Sequence, residues 1–463
     1  MFNSGKIATF TIQMEDIMLD GLSKEIAIAK ECMDFALWNG ASKVRITLTR
    51  SVMDLVGILN GEVDKVSHAL DRSLQIALFV DGRFGSFSSN RLEMEELKAF
   101  ILNAIGTVRM LEPDQYRQLP GRDRIVKNAT EGNETGLLDT ATASDRREMA
   151  LKLSLWNEKE SLENGFTILG EEGEYSETLS DMVVMDSEGL IARHTETSFE
   201  IGNEYTIATP DGKLYSGYWW DASAFYRDIE ESVKTCARKA LERTVSQIGP
   251  GDAPGGKYNV VIDSECASKL LNPVLSALGG FAVQQKNSFL ADDLGAKVFP
   301  DNMTVWDMPL TPGKTGSRLF DSEGVATREM PIIDHGVVKT FFLNTYIAGK
   351  MGMEPTVEDS TRVVVRPGGK CRDAEALMAS AGDGILVTGF NGGNSNSATG
   401  DFSYGIEGFL FRGGKKICPI KEMLMTGNFK SLWNSLVDIA DDARPCLTKQ
   451  IPSLWFKDVD ISA

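Results

Sequence analysis

Three histidines, His68, His194 and His335, are the whole imidazole inventory of this 463-residue chain, and each stands alone. A protein zinc site takes His, Cys, Asp or Glu ligands, and a local one needs two of them at helical or CxxC spacing. No local two-histidine motif and no CxxC pair occurs, so a metal would need ligands gathered from distant segments, with His68 and His194 beside carboxylates as the candidates. His335 sits in IIDHGVVK (332–339), where Asp-His-Gly between two apolar runs reads as a hairpin turn. The acidic pairs Asp292-Asp293 and Asp441-Asp442 have the composition of solvated faces; acid–base work by paired carboxylates would demand a geometry that spacing does not dictate.

Nucleophile and phosphate motifs fail in detail. Ser403 in GDFSYG (400–405) stands in G-x-x-S-x-G, one residue out of the G-x-S-x-G elbow, and it leads into a strand where the elbow needs a helix. The Gly-Lys-Thr at 313–315 resembles the end of a phosphate loop, but Met308 takes the place of the first glycine and no helix follows. The small-residue run NGGNSNSATG (391–400) is more informative, because its three glycines permit close backbone approach and leave amides free to pair. Asn391, Gly392, Gly393, Asn394, Thr399, Gly400, Asp401 and Ser403 are therefore candidates for binding a ligand or an extended peptide, with a plain surface loop as the alternative.

The elements that must position these residues read as a mixture. Ile26, Ala29, Met33 and Leu37 recur at helical spacing, with Ser23 as N-cap and Asn39-Gly40 as the stop. Alternating strands follow at 43–50, 54–70 and 73–89, joined by the turn dipeptides Asn60-Gly61 and Asp81-Gly82. Helices are expected from Arg91 to before Pro113, from Asp145 to Leu162 and from Ile229 to Ile248, with strands between Asp181 and Trp220. GPGDAPGGK (249–257) marks a linker or sharp edge. Beyond it come a strand at 258–263, a helix at 264–286 that Pro273 should kink or divide, mostly strands from Met303, and a helix at 428–442. Regular strand–helix alternation is missing, so the fold class is α+β with two domains, residues 1–249 and 250–463, each a mainly antiparallel sheet with packed helices.

Composition narrows the function classes. With 48 basic against 66 acidic residues the net charge is −18, which argues against direct nucleic-acid contact because phosphate binding draws on Lys and Arg. The N-terminal stretch lacks a leader pattern and no long apolar run occurs, which predicts a protein neither secreted nor membrane-bound. The scattered cysteines, Cys32, Cys236, Cys266, Cys371, Cys418 and Cys446, predict free thiols in the cytoplasm.

Several stretches together resemble one family. LFDSEGVATREMPIIDHGVVKTFFLNTYIAGKMG (319–352), ATGDFSYGIEGFLFRGG (398–414) and KEMLMTGNFKSLWNSLVDIADD (421–442) are similar to the TldD/PmbA family in the same order and at similar spacing. RSLQIALFVDGRFGSFSSN (72–90), Asp114-Gln115-Tyr116 and Leu119-Pro120 fit as well, so the likeness spans nearly the whole chain. The resemblance implies a two-domain α+β protein with a strand-rich, barrel-like C-terminal part. It also implies a family, also called modulator of DNA gyrase, whose TldD members pair with TldE (PmbA) members in a zinc peptidase that degrades unfolded peptides or matures peptide precursors.

TldD members carry an HExxxH helix and a later cysteine ligand. Here Asn272, Pro273 and Ala277 stand at the two histidines and the glutamate, and no cysteine lies between Cys371 and Cys418. Asn and Ala cannot replace imidazoles on zinc, and proline cannot serve as a base. The resemblance therefore implies a TldE (PmbA)-type subunit with no catalytic residue and no metal of its own, zinc being held by a TldD-type partner in a heterodimer that acts on peptides. A homodimer of the isolated chain stays open. Arg318, Asp321, Glu323 and Gly324 are the further family-like positions, with Asp321 and Asp401 also readable as turn caps and Gly324 and Gly400 as turn glycines. Two other readings stand beside this one: a non-proteolytic protein that modulates gyrase or a toxin system by contact, and a hydrolase acting alone.

Overall fold

A computed structural model describes residues 14–462, with side chains from Ile26 onward. The stretch up to Gln13, read above for a leader, lies outside the described residues. No helix among them is long and apolar enough to cross a membrane.

The first sheet has six strands, β1 (Lys43–Leu59), β2 (Glu62–Val80), β3 (Arg83–Ser89), β4 (Thr167–Asp186), β5 (Ile191–Ala208) and β6 (Leu214–Ser223). They lie in the order β3-β2-β1-β4-β5-β6, antiparallel throughout. The expected hairpin turns are present: Asn60-Gly61 and Asp81-Gly82 all take positive φ, the backbone that lets two residues reverse a twisted ribbon. The stretches 43–50 and 54–59 form one strand rather than two.

Helix α1 (Met14–Trp38) begins nine residues before Ser23, which therefore lies inside the helix and is not its cap. It packs with α2 (Met94–Val108) on Val44, Ile46, Leu74 and Ile76 of the sheet. The helix expected over 145–162 is broken into α3 (Arg146–Leu151), a 3-10 turn and α4 (Lys159–Leu162). The buried carboxylate of Glu171 explains the break, since it accepts from the Leu155 amide at 2.7 Å and from the Ser154 hydroxyl, replacing helical partners. Helix α5 (Tyr226–Val245) covers the distal sheet through Ile229, Val233 and Cys236. On the opposite face Val184, Leu190 and Ala192 are covered by Ile125, Ala129 and Phe320.

The segment 249–257 crosses to the second half and is pinned there, the Gly251 amide donating to the Pro419 carbonyl at 2.9 Å. Strand β7 (Gly256–Ile262) leads into α6 (Ser268–Ala277) and α7 (Gly280–Gln284). The division between these helices falls at Gly279 and not at Pro273, which lies inside α6 and removes one intrahelical hydrogen bond without ending the helix. A small sheet of β8 (Val305–Asp307), β9 (Met330–Asp334), β10 (Val337–Val338) and β11 (Val363–Val365) follows; α8 (Thr345–Met351) packs on α7, and α9 (Ala374–Ala381) packs on β7 and the strands that come after it. His335 and Gly336 both take positive φ between β9 and β10, the expected hairpin turn.

Strands β12 (Gly384–Ser395), β13 (Asp401–Arg412) and β14 (Lys415–Asn428) precede α10 (Phe429–Asn434), β15 (Leu436–Ile439) and β16 (Leu454–Ser462). The order β14-β13-β12-β7-β16 closes on itself through β14–β16 pairing, giving a five-stranded barrel with β15 appended. The helix expected over 428–442 stops at Asn434, since Leu436 gains a ladder partner in Phe456 and β15 forms instead. The fold is α+β with antiparallel sheets and a closed barrel, as the sequence and its resemblance lead one to expect. One pair, β7 with β12, is parallel.

Candidate functional site

Helix α6 forms the wall between two clefts of about 790 and 800 Å³, and Asn272 lines both. The side chain of Lys449 reaches it from the loop before β16, Nζ donating to Asn272 Oδ1 at 2.7 Å. Ala277, one turn further on, is 2% exposed and packs into the core. Zinc needs lone pairs from imidazole, thiolate or carboxylate, whereas these positions offer an amide oxygen already held by an ammonium, a proline and a buried methyl group. They do not fit zinc. No group of three or more His, Cys, Asp or Glu suited to a metal occurs among the described residues.

The first cleft lies between α6–α7 and α8. Arg117 stacks on Tyr346 there with its guanidinium 3.4 Å from the ring centroid, and the Tyr346 hydroxyl donates to Asp114 at 2.9 Å. The second cleft opens between the last strand of the first sheet and the barrel. Trp219 and Trp220 of β6 form one wall, and Thr388 to Phe390 of β12 another. Arg243 of α5 pairs with Glu265 and donates to the Thr388 carbonyl at 2.9 Å. Arg444 stacks over both tryptophans, its carbon centre 4.6 and 4.8 Å from their rings, and donates to the Trp220 carbonyl at 2.5 Å. Burial pushes the Asp263 carboxyl up, and an acceptor bond from the Glu265 amide at 3.0 Å pulls against it.

The candidate residues fall into three places. Asn391 to Ser395 are not loop but the outer end of β12, paired with β13 across a register shift between Phe390 and Gly393. The shift explains the glycines: Gly393 has φ +94°, and a Cβ there would stand 2.0 Å from the Ser403 carbonyl oxygen. Asn391 donates to Glu407 at 3.1 Å, and Asn394 pairs with Ser403, whose side chain is exposed on a strand with Thr426 on its other side. At the tip, Thr399 donates to Asp401 at 2.7 Å and Asn428 donates to the other Asp401 oxygen at 2.9 Å, holding that carboxyl below its ordinary range. Gly400, φ +80°, lies against the Phe289 ring.

Arg318, Asp321, Glu323 and Gly324 lie elsewhere, where the small sheet meets the first one. Asp321 Oδ1 accepts from the amides of Glu323 and Val325 at 2.9 and 3.0 Å, closing a turn. Glu323 accepts from the Thr345 amide at 2.8 Å and so caps α8. Gly324, φ +81°, abuts Leu190 so closely that a Cβ would stand 2.2 Å from its methyl carbon. Arg318 lies near Glu196, whose carboxyl is held low first by its bond to His194. His68 and His194 do not meet: His68 shares a row with Asp54, Glu177 and Phe199, and His194 one with Met182, Thr49 and Ser73.

Of the candidate residues only Asn272 lines either cleft; Phe390, one residue before Asn391, lines the second with it. Trp219, Trp220 and Arg243 complete it and were missed, as were Arg444 stacked beside the tryptophans and Lys449 in the first cleft; the adjacent tryptophans at the end of an alternating run were the one local signal. The site presents no nucleophile beside a base. What it offers is an edge: β12 pairs with β7 only as far as Val387, and on that same side no strand pairs with Thr388 to Ser395 among the described residues, Arg243 taking the Thr388 carbonyl.

Residues 255–463 match the PmbA/TldA metallopeptidase C-terminal domain, and residues 44–107 match PmbA/TldA metallopeptidase domain 1. The chain belongs to the PmbA/TldD family. A proposed modulator of DNA gyrase from Bacteroides thetaiotaomicron is 37% identical and superposes with a TM-score of 0.89 over 95% of this chain and 99% of that one. The metalloprotease PmbA of Escherichia coli O157:H7 is 25% identical over 442 residues, 94% of this chain and 96% of that protein. TldE from Thermococcus kodakarensis shares the fold, with 20% identity and a TM-score of 0.81 over 94% of this chain and all of that one. Across this PmbA/TldD likeness the barrel and the six-stranded sheet are both included.

Proposed function

We propose that this chain is a PmbA/TldE-type subunit that binds extended peptides and has no zinc site of its own, a TldD-type partner supplying the metal and the cleavage. The observation that carries the reading is the Asn272–Lys449 bond: the helix that would present two imidazoles presents an amide tied to an ammonium. The matched metallopeptidase domains and the curated relative named metalloprotease PmbA support the peptidase connection. The unpartnered side of β12 supports peptide binding, because an extended chain can add main-chain hydrogen bonds to such an edge. Its work is placed in the cytoplasm, consistent with six free cysteines.

The test is to purify the protein alone and with a TldD-type subunit from the same organism, then measure zinc by elemental analysis and cleavage of an unstructured peptide. The reading expects a metal-free, inert chain and a zinc-bearing, active pair. Stoichiometric zinc or cleavage by the lone chain would overturn it.

A further inference from the structure

The second cleft is lined by more cations than carboxylates on a chain that is acidic overall. The chain as a whole is at −18, yet Lys239, Lys269, Lys416 and Lys421 all line this one cleft. Each ammonium lies over an aromatic face: Lys239 4.9 Å from the Trp219 centroid, Lys269 4.6 Å from Tyr404, Lys416 4.9 Å from Phe409 and Lys421 4.7 Å from Tyr215. None of the four forms an ion pair among the described residues. The carboxylates nearby are mostly engaged: Glu265 by Arg243, Asp263 by the Glu265 amide and Glu407 by Asn391, with Glu242 exposed at the rim. Stacking on a ring restrains a long side chain without neutralising it, so the cations stand pre-positioned around the cleft.

We propose that this cleft takes an extended acidic peptide, its main chain along the open edge of β12 and its carboxylates on these lysines. The inference rests on the peptide-binding reading above and adds the class of peptide. The edge enters the cleft at Thr388 to Phe390, where Arg243 holds the Thr388 carbonyl, and runs on to Ser395; a polypeptide can pair with it as a strand ladder, which a nucleic acid cannot form. The lysines choose among polypeptides by charge, and the surrounding −18 field disfavours any long polyanion that cannot confine itself to the cleft.

The test uses the full chain and fluorescence anisotropy with labelled unstructured peptides of equal length, one Glu-rich, one Lys-rich and one Gly/Ser-only, at low salt. The Glu-rich peptide is expected to bind most tightly, to weaken as salt rises, and to lose affinity when alternate amides are N-methylated. Lys239→Glu with Lys416→Glu, both at exposed positions, is expected to lower its affinity roughly ten-fold or more, whereas the Lys→Arg pair retains it. Equal binding of all three peptides overturns the acidic preference and leaves the peptide-binding reading standing. Absence of any binding overturns both. Single-stranded DNA bound as tightly as the Glu-rich peptide, or indifference to N-methylation, overturns the strand-edge docking.

Discussion

Lys449 and Asn272 lie 177 residues apart, and the lysine Nζ meets the asparagine Oδ1 at 2.7 Å on the wall shared by both clefts. A positive charge is thus already supplied at the helix position where a zinc ligand would be sought. Writing imidazoles back in with Asn272→His and Ala277→His should therefore fail to load zinc, because Pro273 and Lys449 remain and Ala277 faces a filled core. The larger side chain at the buried position is expected to cost roughly 1–3 kcal/mol. Elemental analysis and a denaturant midpoint read the two effects, and stoichiometric zinc in the double variant would contradict the account.

Gly324→Ala combines two penalties. The backbone at φ +81° resists a side chain, and the new Cβ would stand 2.2 Å from Leu190 across the packing of the two halves. Gly212→Ala has φ +82° with nothing within 4 Å, so it isolates the backbone term. The Gly212 variant should lose about 1 kcal/mol and the Gly324 variant about 1–3 kcal/mol more, measured by chemical denaturation. Equal losses would show that the Leu190 contact yields freely.

Asp321 titrates against the fold. Burial raises its pKa from 3.8 to about 6, the amides of Val325 and Glu358 pulling the other way and the charges of Glu358 and Glu323 adding to the rise. Folding thus favours the protonated form, so the stability this group contributes is whole below about pH 3.8 and is lost as pH climbs through 6. Asp321→Asn keeps an acceptor oxygen and removes the titration. The stability of the parent chain relative to this variant is expected to fall by up to about 3 kcal/mol between pH 4 and pH 7. A difference that stays level across urea titrations at those pH values would refute the shift.

Arg444 ties the tryptophans of β6 to the loop ahead of β16, with its side chain 13% exposed and Asp221 and Glu265 each 3.9 Å away. The segment 249–257 is mostly exposed but tethered by the Gly251–Pro419 bond, and a protease, which needs the chain to detach and extend, cuts it faster when the two halves loosen. Arg444→Ala should speed cleavage there several-fold in limited proteolysis followed by mass spectrometry. Arg444→Lys should rescue only in part, since an ammonium cannot stack flat on two indoles. An unchanged cleavage rate would remove Arg444 from any role in holding the halves together.

Local chemistry made the turns readable: Asn60-Gly61, Asp81-Gly82 and His335-Gly336 each specify a backbone that few other dipeptides accept. Alternation gave the strands and periodicity the long helices for the same reason. Errors arose where a distant side chain decided the outcome. Glu171 breaks the helix over 145–162, and Phe456 draws Leu436 into a strand. The Asn-Gly-Gly run looked like loop because glycine weakens strands, yet β13 pairs with it and only glycine clears the Ser403 carbonyl. Asn272 was legible as an unusual residue on α6, but its partner Lys449 was not, since nothing near either position points to the other. Apart from its adjacent tryptophans the second cleft was hidden for a like reason: Arg243 comes from α5, and Arg444, which stacks on those tryptophans, from the loop before β16, which only folding brings together.

The barrel's closure has a consequence for how the chain is made. Its seam joins Lys257 to Asp460 and Leu424 to Ser462, so one of the first barrel strands to be synthesised must wait for the last. The six-stranded sheet needs nothing beyond Ser223 for its own pairings. Synthesis from the N-terminus thus gives the first sheet a head start, while β7 passes through translation with one side bare until β16 leaves the ribosome. A ribosome stalled before Leu454 would carry a finished sheet attached to an open, adhesive half-barrel, a natural client for a chaperone.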